Sequence, residues 1–142
     1  MNINFKLNLE QVYLGMDTAI PLGIIVNELV SNSFKHAFSS ERGGEICINL
    51  HKNEICASEN GNSAFRSCIS GQGKECAGMN NFRYILEVSD NGKGIPGKIN
   101  FENSNSLGLQ LVNILVEQID GCIELERNQG TKFTIWFNDV EI

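Results

Sequence analysis

The sequence predicts an α/β (α+β) two-layer sandwich, with a mixed, mostly antiparallel sheet and helices packed on one face. Three observations predict it. Short segments alternate apolar and polar residues with a period of two, and two longer segments carry apolar residues at helical spacing. Their order along the chain is strand, helix, two strands, helix, two strands. Consecutive strands joined by turns favour antiparallel pairing, and the helices must bury their apolar stripes against a sheet face.

The elements follow in order. In residues 3–9, Ile3, Phe5, Leu7 and Leu9 alternate with Asn4, Lys6 and Asn8, the period of a strand with one apolar face. The first helix is expected to begin after Asp17 or Thr18, either of which suits an N-cap, and to run to about Phe38. Pro21 would then sit in the first turn, where its missing N–H costs little. Leu22, Val26, Leu29, Val30 and Ala37 form the side that packs on a core. EICINL (45–50) and YILEVS (84–89) alternate again and read as the second and third strands. Residues 53–81 between them are rich in Gly, Ser, Asn and Cys, too long for a hairpin turn and too polar to pack, and read as an insert. Residues 90–97 form a glycine-rich turn. Leu107, Leu109, Leu111, Val112, Leu115 and Ile119 mark a second helix, with Ser106 near its start and Gly121 just past its end. Residues 122–126 and 132–137 are closing strands, joined by a turn through Asn128, Gln129 and Gly130.

The chain of 142 residues has room for a single domain, 1–142, with its own core. A composition of 42% hydrophobic and 20% charged residues argues against wholesale disorder. A net charge of −6 without any basic run argues against nucleic acid as a partner. No apolar stretch approaches the length of a membrane span and the N-terminus carries no signal-peptide pattern, so a cytoplasmic location is expected. Cys47, Cys56, Cys68, Cys76 and Cys122 make an odd count without a C-x-x-C pair, which reads as reduced thiols, with Cys47 and Cys122 as small core residues.

Chemistry concentrates in two places. In NELVSNSFKHAF (27–38), Glu28, Asn32 and Lys35 fall within roughly 60° of one another at about 100° per residue. A polar stripe of this kind is usually a solvated face. A carboxylate, an amide and an ammonium in line also make a site for a metal-bound polyphosphate, because amide oxygen suits Mg²⁺ and Lys suits phosphate. The second place is DNGKGIPGK (90–98), directly after a strand. Gly92, Gly94 and Gly97 satisfy G-x-G-x-x-G, and Gly92, Gly97 and Lys98 begin a Walker A pattern. Both are decoys: no helical pattern follows, and Ile99 stands where the second motif needs Ser or Thr. Two readings of the loop remain. It is an ordinary Asp-Asn-Gly turn, or Asp90 accepts a hydrogen bond from an exocyclic amine while Gly92 and Gly94 let the backbone approach a flat ring.

Together, these motifs resemble the ATP-binding domain of the GHKL superfamily, which includes DNA gyrase, Hsp90-type chaperones, histidine kinases and MutL. NELVSNSFKHAF resembles the N box, DNGKGIP the G1 box, SLGLQLV (106–112) the G2 box and GTKF (130–133) the terminal glycine box. They stand in the family's order and cover about residues 3–138. Lys35 and His36 look like the histidine-kinase version of the N box, and SLGLQLV with KHAF is similar to one subgroup of sensor histidine kinases. Two departures stand out. Ser106 replaces a Gly found in many kinases, and the stretch that would form the ATP lid, 97–106, is short, with no separate F box.

The resemblance implies the Bergerat fold, with ATP and Mg²⁺ as ligands. It implies that Glu28, Asn32 and Lys35 are catalytic, and that Asn32, Lys35, His36, Asp90, Gly92, Gly94, Ile95, Ser106, Leu107, Gly108, Leu109 and Thr131 surround ATP. Asp90 would accept from the adenine amine, with Gly94 and Thr131 beside the base or a bridging water. Asn32 would ligate Mg²⁺, with Glu28 as a further candidate, and Lys35 would contact phosphates. Glu28 would otherwise orient the hydration shell or the nucleophile, and His36 would lie against ribose or adenine or simply pack. Gly108 would open a helix whose first N–H groups favour an anion. The implied activity is transfer of the γ-phosphoryl group to a histidine on a separate helical dimerisation domain, upstream in a parent chain or in trans, with a response regulator downstream. Neither His36 nor His51 resembles that acceptor, and the expected acceptor domain is absent from the chain. Two alternatives stay open: a stand-alone anti-sigma-factor or switch serine kinase, whose looser N box Glu28, Asn32, His36 and Ala37 also satisfy, and a non-catalytic nucleotide-binding module. Lys35 and SLGLQLV favour the histidine kinase.

Overall fold

The computed structural model describes residues 3–37, 43–54, 81–92, 107–127 and 130–139, with the main chain alone at His36 and Ala37. Seven elements follow in the predicted order: β1 (Ile3–Leu9), α1 (Met16–Asn32), β2 (Gly44–Lys52), β3 (Tyr84–Asp90), α2 (Leu107–Gln118), β4 (Cys122–Glu126) and β5 (Thr131–Phe137). A π-helical turn, Ser33–Ala37, continues α1. The strands form a five-stranded sheet in the order β1-β2-β3-β5-β4. β1 and β2 pair in parallel across the α1 crossover, and every other pair is antiparallel. The mixed two-layer sandwich read from the sequence is the fold observed. No helix among the described residues is long and apolar enough to cross a membrane.

The register explains where the core sits. One row across the sheet runs Leu9, Leu50, Leu86, Ile135 and Ile123, and the next runs Leu7, Ile48, Val88, Phe133 and Leu125. Alternate side chains share a face, so the members of both rows on β2 to β5 pack with Leu22, Ile25 and Leu29 of α1 and Leu109, Val112, Leu115 and Val116 of α2 in one core. A third row runs Phe5, Ile46, Asp90 and Thr131. There the apolar pattern ends in two polar residues. The opposite face is polar along most of its width: Asn8 Nδ2 donates to Asn49 Oδ1 at 2.9 Å, Asn49 Nδ2 donates to Glu87 Oε1 at 3.2 Å, and Lys132 pairs with Glu87 at 3.5 Å.

Several expectations are corrected. The first helix starts at Met16, capped by the main chain of Gly15 with no side-chain cap, and Thr18 is fully buried. The Gly15 N–H instead donates to the Asp139 carboxylate at 3.1 Å, which places an acidic group at the positive end of α1. Because the helix begins early, Pro21 lies in its second turn rather than its first. Phe5, Leu7 and Leu9 alternate as predicted but are 51–57% exposed, since β1 is the sheet edge and the helices cover its centre. Phe5 does meet Phe34, with ring centroids 6.2 Å apart. Cys47 is a free, half-buried thiol on the polar face rather than a core residue. Cys122 is buried but disulfide-bonded, against the reduced thiol expected, because an odd cysteine count still leaves room for a pair. Most of the predicted insert and all of the predicted lid lie outside the described residues.

Two glycines are required by close approach. Gly121 follows Asp120, whose φ of 55° supplies the left-handed turn that ends α2, with the Gly121 N–H donating to the Val116 carbonyl at 2.9 Å. A Cβ at Gly121 would lie 2.7 Å from the Trp136 carbonyl oxygen. Gly130 has φ of +131° at the entrance to β5, and a Cβ there would lie 2.1 Å from the Asp90 carbonyl oxygen. Gly130→Ala is therefore expected to cost more than the roughly 1–3 kcal/mol of backbone strain alone, read as a lowered urea midpoint. Phe137, fully buried and stacked on Tyr84 at 5.3 Å, should cost about 3–5 kcal/mol when cut to Ala. Leu7→Ala on the exposed edge should cost about 1 kcal/mol or less.

Candidate functional site

The site forms where the third row turns polar. Asp90 is the last residue of β3, and Thr131, the first of β5, stands opposite it in the ladder. Even-numbered residues of β3 point to the helix side, as the buried Leu86 and Val88 show, so Asp90 points there too. The loop that leaves β3 is tied back to β2: the Asn91 N–H donates to the Glu45 carbonyl at 3.3 Å, and the Glu45 N–H donates to Asn91 Oδ1 at 2.9 Å. The Gly92 N–H donates to Asp90 Oδ1 at 3.0 Å. This is an Asx turn, and it holds the carboxylate while its backbone starts the glycine loop.

The helix layer reaches the same carboxylate through Ser33. Its hydroxyl donates to Asp90 Oδ2 at 2.7 Å. Ser33 ends a buried stripe along α1 that runs Thr18, Leu22, Ile25, Leu29 and Ser33, at spacings of three and four. The main chain there is held by a shared hydrogen bond from the Ser33 N–H to the Leu29 and Val30 carbonyls. Beyond it the helix widens to the π form, a geometry that recurs at functional sites. Ser33 was absent from the sequence-predicted set. The readable signal was a polar residue four places after Leu29 on the core stripe, next to Asn32.

Asn32 precedes Ser33 and is half-buried. Its Nδ2 is buried without a hydrogen-bond partner, and so is Thr131 Oγ1. Buried polar atoms are almost always paired, and an unpaired one costs about 1–3 kcal/mol. One of the two belongs to the chain neighbour of Ser33, whose hydroxyl holds Asp90, and the other belongs to the residue opposite Asp90 in the ladder. An amide and a hydroxyl left open beside a fixed carboxylate are the donor set that a polar heterocycle with a phosphate tail would complete. A half-turn of the Asn32 amide offers its oxygen instead, which suits Mg²⁺ held mainly by substrate phosphates. No cluster of three or more His, Cys, Asp or Glu among the described residues could hold a metal by itself.

The other predicted residues divide. Glu28 lies one turn before Asn32 on α1 and is half-buried. Lys35 is exposed and sits in the π turn, whose wider geometry moves it off the regular 100° spacing that aligned it with Asn32. The His36 side chain, Gly94, Ile95 and Ser106 lie outside what is described. Leu107 opens α2 and is 78% exposed, and Gly108 is half-buried in the first turn. Leu109 buries its side chain in the core rather than presenting it to the site.

Comparisons with known proteins bear on the family and the fold. A family model described as histidine kinase-, DNA gyrase B- and HSP90-like ATPase matches residues 17–141. The chain is 24% identical over 140 residues to blue-light-activated histidine kinase 2 of Erythrobacter litoralis (strain HTCC2594), covering 99% of this chain and 32% of that protein. It thus spans about a third of the length of that relative. Among solved structures, the histidine kinase domain of the Erythrobacter litoralis EL346 blue-light-activated histidine kinase superposes with a TM-score of 0.70 at 23% identity, over 95% of this chain and 51% of that one. The Acinetobacter baumannii histidine kinase AdeS superposes with a TM-score of 0.64 at 16% identity, over 98% of this chain and 55% of that one. The fold is thus the one these kinase domains share, and the chain belongs to the family of histidine kinase-, DNA gyrase B- and HSP90-like ATPases.

Proposed function

We propose that the chain is the ATP-binding catalytic domain of a two-component sensor histidine kinase. It would bind ATP·Mg²⁺ and present the γ-phosphoryl group to a histidine on a separate helical domain. The observation that carries this reading is the pair of unpartnered buried atoms, Asn32 Nδ2 next to Ser33 in the chain and Thr131 Oγ1 across the ladder, around the Asp90 carboxylate that Ser33 and Gly92 hold. Sequence similarity to a histidine kinase supports it over the switch-kinase alternative of the same fold.

Each residue then has a role that follows from its position. Asp90, with a donor already on each oxygen, has lone pairs left for one more donor, the 6-amino group of adenine. Thr131 Oγ1 would serve the adjacent ring nitrogen or a water that bridges to it. Asn32 would turn its amide toward the metal and the phosphates. The bound Mg²⁺ would neutralise phosphate charge and orient the triphosphate. Lys35, exposed on its flexible stem, would meet the outer phosphates as a point charge. Glu28, one turn earlier, would orient a metal-bound water or the incoming imidazole. Phosphoryl transfer asks mostly for positioning and charge neutralisation, and these residues supply both. The acceptor histidine, its dimerisation domain and a downstream response regulator belong to the wider system, with the cytoplasm as its expected compartment.

Calorimetric titration with ADP or a non-hydrolysable ATP analogue, with and without Mg²⁺, tests the proposal. Micromolar binding that Mg²⁺ strengthens is expected, and no binding by the folded protein would contradict it. Asn32→Ala should remove the gain from Mg²⁺ while leaving the unfolding midpoint in place. Asp90→Asn should weaken adenine nucleotide binding by about 10- to 100-fold, the worth of a hydrogen bond to a charged group. Alone, the chain should show little autophosphorylation, and robust self-labelling would overturn the separate-acceptor part of the reading.

A further inference from the structure

The Asp90 carboxylate is held from two sides by groups of different character. On Oδ1 the Gly92 N–H donates at 3.0 Å, and a backbone amide can only donate. On Oδ2 the Ser33 hydroxyl donates at 2.7 Å, within the short range of hydrogen bonds to a charged oxygen. Ser33 is 7% exposed, and its main chain is fixed by the shared bond to the Leu29 and Val30 carbonyls. A serine in a helix has an alternative open to it, donating back to the carbonyl four residues earlier. Here the hydroxyl crosses from the helix layer to the sheet instead. The carboxylate is therefore oriented by one donor from its own loop and one from α1.

We propose that Ser33 is a positioning residue that sets the base selectivity of the site through Asp90. The inference rests on the nucleotide-site reading above. With one donor on each oxygen, Asp90 is fixed as a group that only accepts, and its orientation is not free to change. A 6-aminopurine brings a donor to that position and is favoured. A 6-oxopurine brings a second acceptor, which a fixed carboxylate opposes. Without the Ser33 hydroxyl, Asp90 keeps only the Gly92 bond and can rotate about it. A carboxylate free to turn aside from the base tolerates a 6-oxo group. Ser33 touches neither base nor phosphate in this scheme, and everything it does passes through Asp90.

The test is calorimetry with ADP and with inosine diphosphate, both with Mg²⁺, on the wild type, Ser33→Ala, Ser33→Thr and Asp90→Asn, and on Ser33→Ala combined with Asp90→Asn. The wild type should prefer ADP. Ser33→Ala should lose about tenfold in ADP affinity, the worth of one hydrogen bond to a charged group at the lower end, and lose base discrimination by a similar factor. Ser33→Thr keeps the hydroxyl and should restore the preference. In the Asp90→Asn background, Ser33→Ala should change the ADP-to-inosine ratio no further, a comparison that stands even where the added methyl of Thr is not accommodated. An equal loss for both nucleotides, or no loss for either, overturns the role of Ser33 while leaving the nucleotide site standing. A folded wild type that binds neither nucleotide overturns the site reading, and this inference with it.

Discussion

The rung that pairs Asp90 with Thr131 is the constraint on which the site depends. Two rows of the sheet are apolar from edge to edge and bury their central members under the helices, and the next row keeps the same phase but ends in a carboxylate and a hydroxyl. A slip of one residue between β3 and β5 would expose Val88 and Phe133 or turn Asp90 to the far face. The hydrophobic core therefore fixes the chemistry as well as the fold. Gly130 completes the arrangement, because its missing side chain lets the start of β5 lie against the end of β3.

The helix layer adds the second half. Thr18, Leu22, Ile25, Leu29 and Ser33 make one continuous buried stripe, apolar in its middle and polar at its ends. At its lower end Ser33 reaches Asp90, and the adjacent Asn32 is left with an unpartnered amide nitrogen. The cost of two orphaned buried groups is a few kcal/mol by general experience, and a ligand that satisfies them recovers it on binding. Preorganisation of this kind places the cost in folding rather than in recognition. The opposite face of the sheet carries no such openings at Asn8, Asn49, Glu87 and Lys132, where the side chains satisfy one another.

Much of this was legible in the sequence. Period-two segments located all five strands to within two residues at either end, and helical spacing located both helices. Asn32 and Asp90 stood out by residue chemistry and motif order, and Thr131 only through the resemblance of GTKF to the terminal glycine box; the ladder places Thr131 opposite Asp90. The misses share a physical cause: they depend on what lies opposite in space. Phe5, Leu7 and Leu9 alternate as a buried strand does, and only the sheet order shows that β1 is an edge. Asp17 and Thr18 look like caps, yet the helix start is set by the carboxylate of Asp139, far along the chain. The alignment of Lys35 with Asn32 assumed a regular helix, and the π turn that displaces it has no simple sequence signature. Ser33 was hidden by its chemistry, since a serine in a helix is unremarkable until its partner across the layers is known.

The central claim is that a nucleotide binds at the polar end of the third row, between α1 and the β3–β5 ladder. Amide chemical-shift mapping with ADP and Mg²⁺ on isotope-labelled protein tests it most directly. The account expects the largest shifts at Asn32, Ser33, Gly92 and Thr131, with the amides of Asn49, Glu87 and Lys52 unmoved. Shifts centred on that second group, or no shifts at saturating ADP, would contradict it.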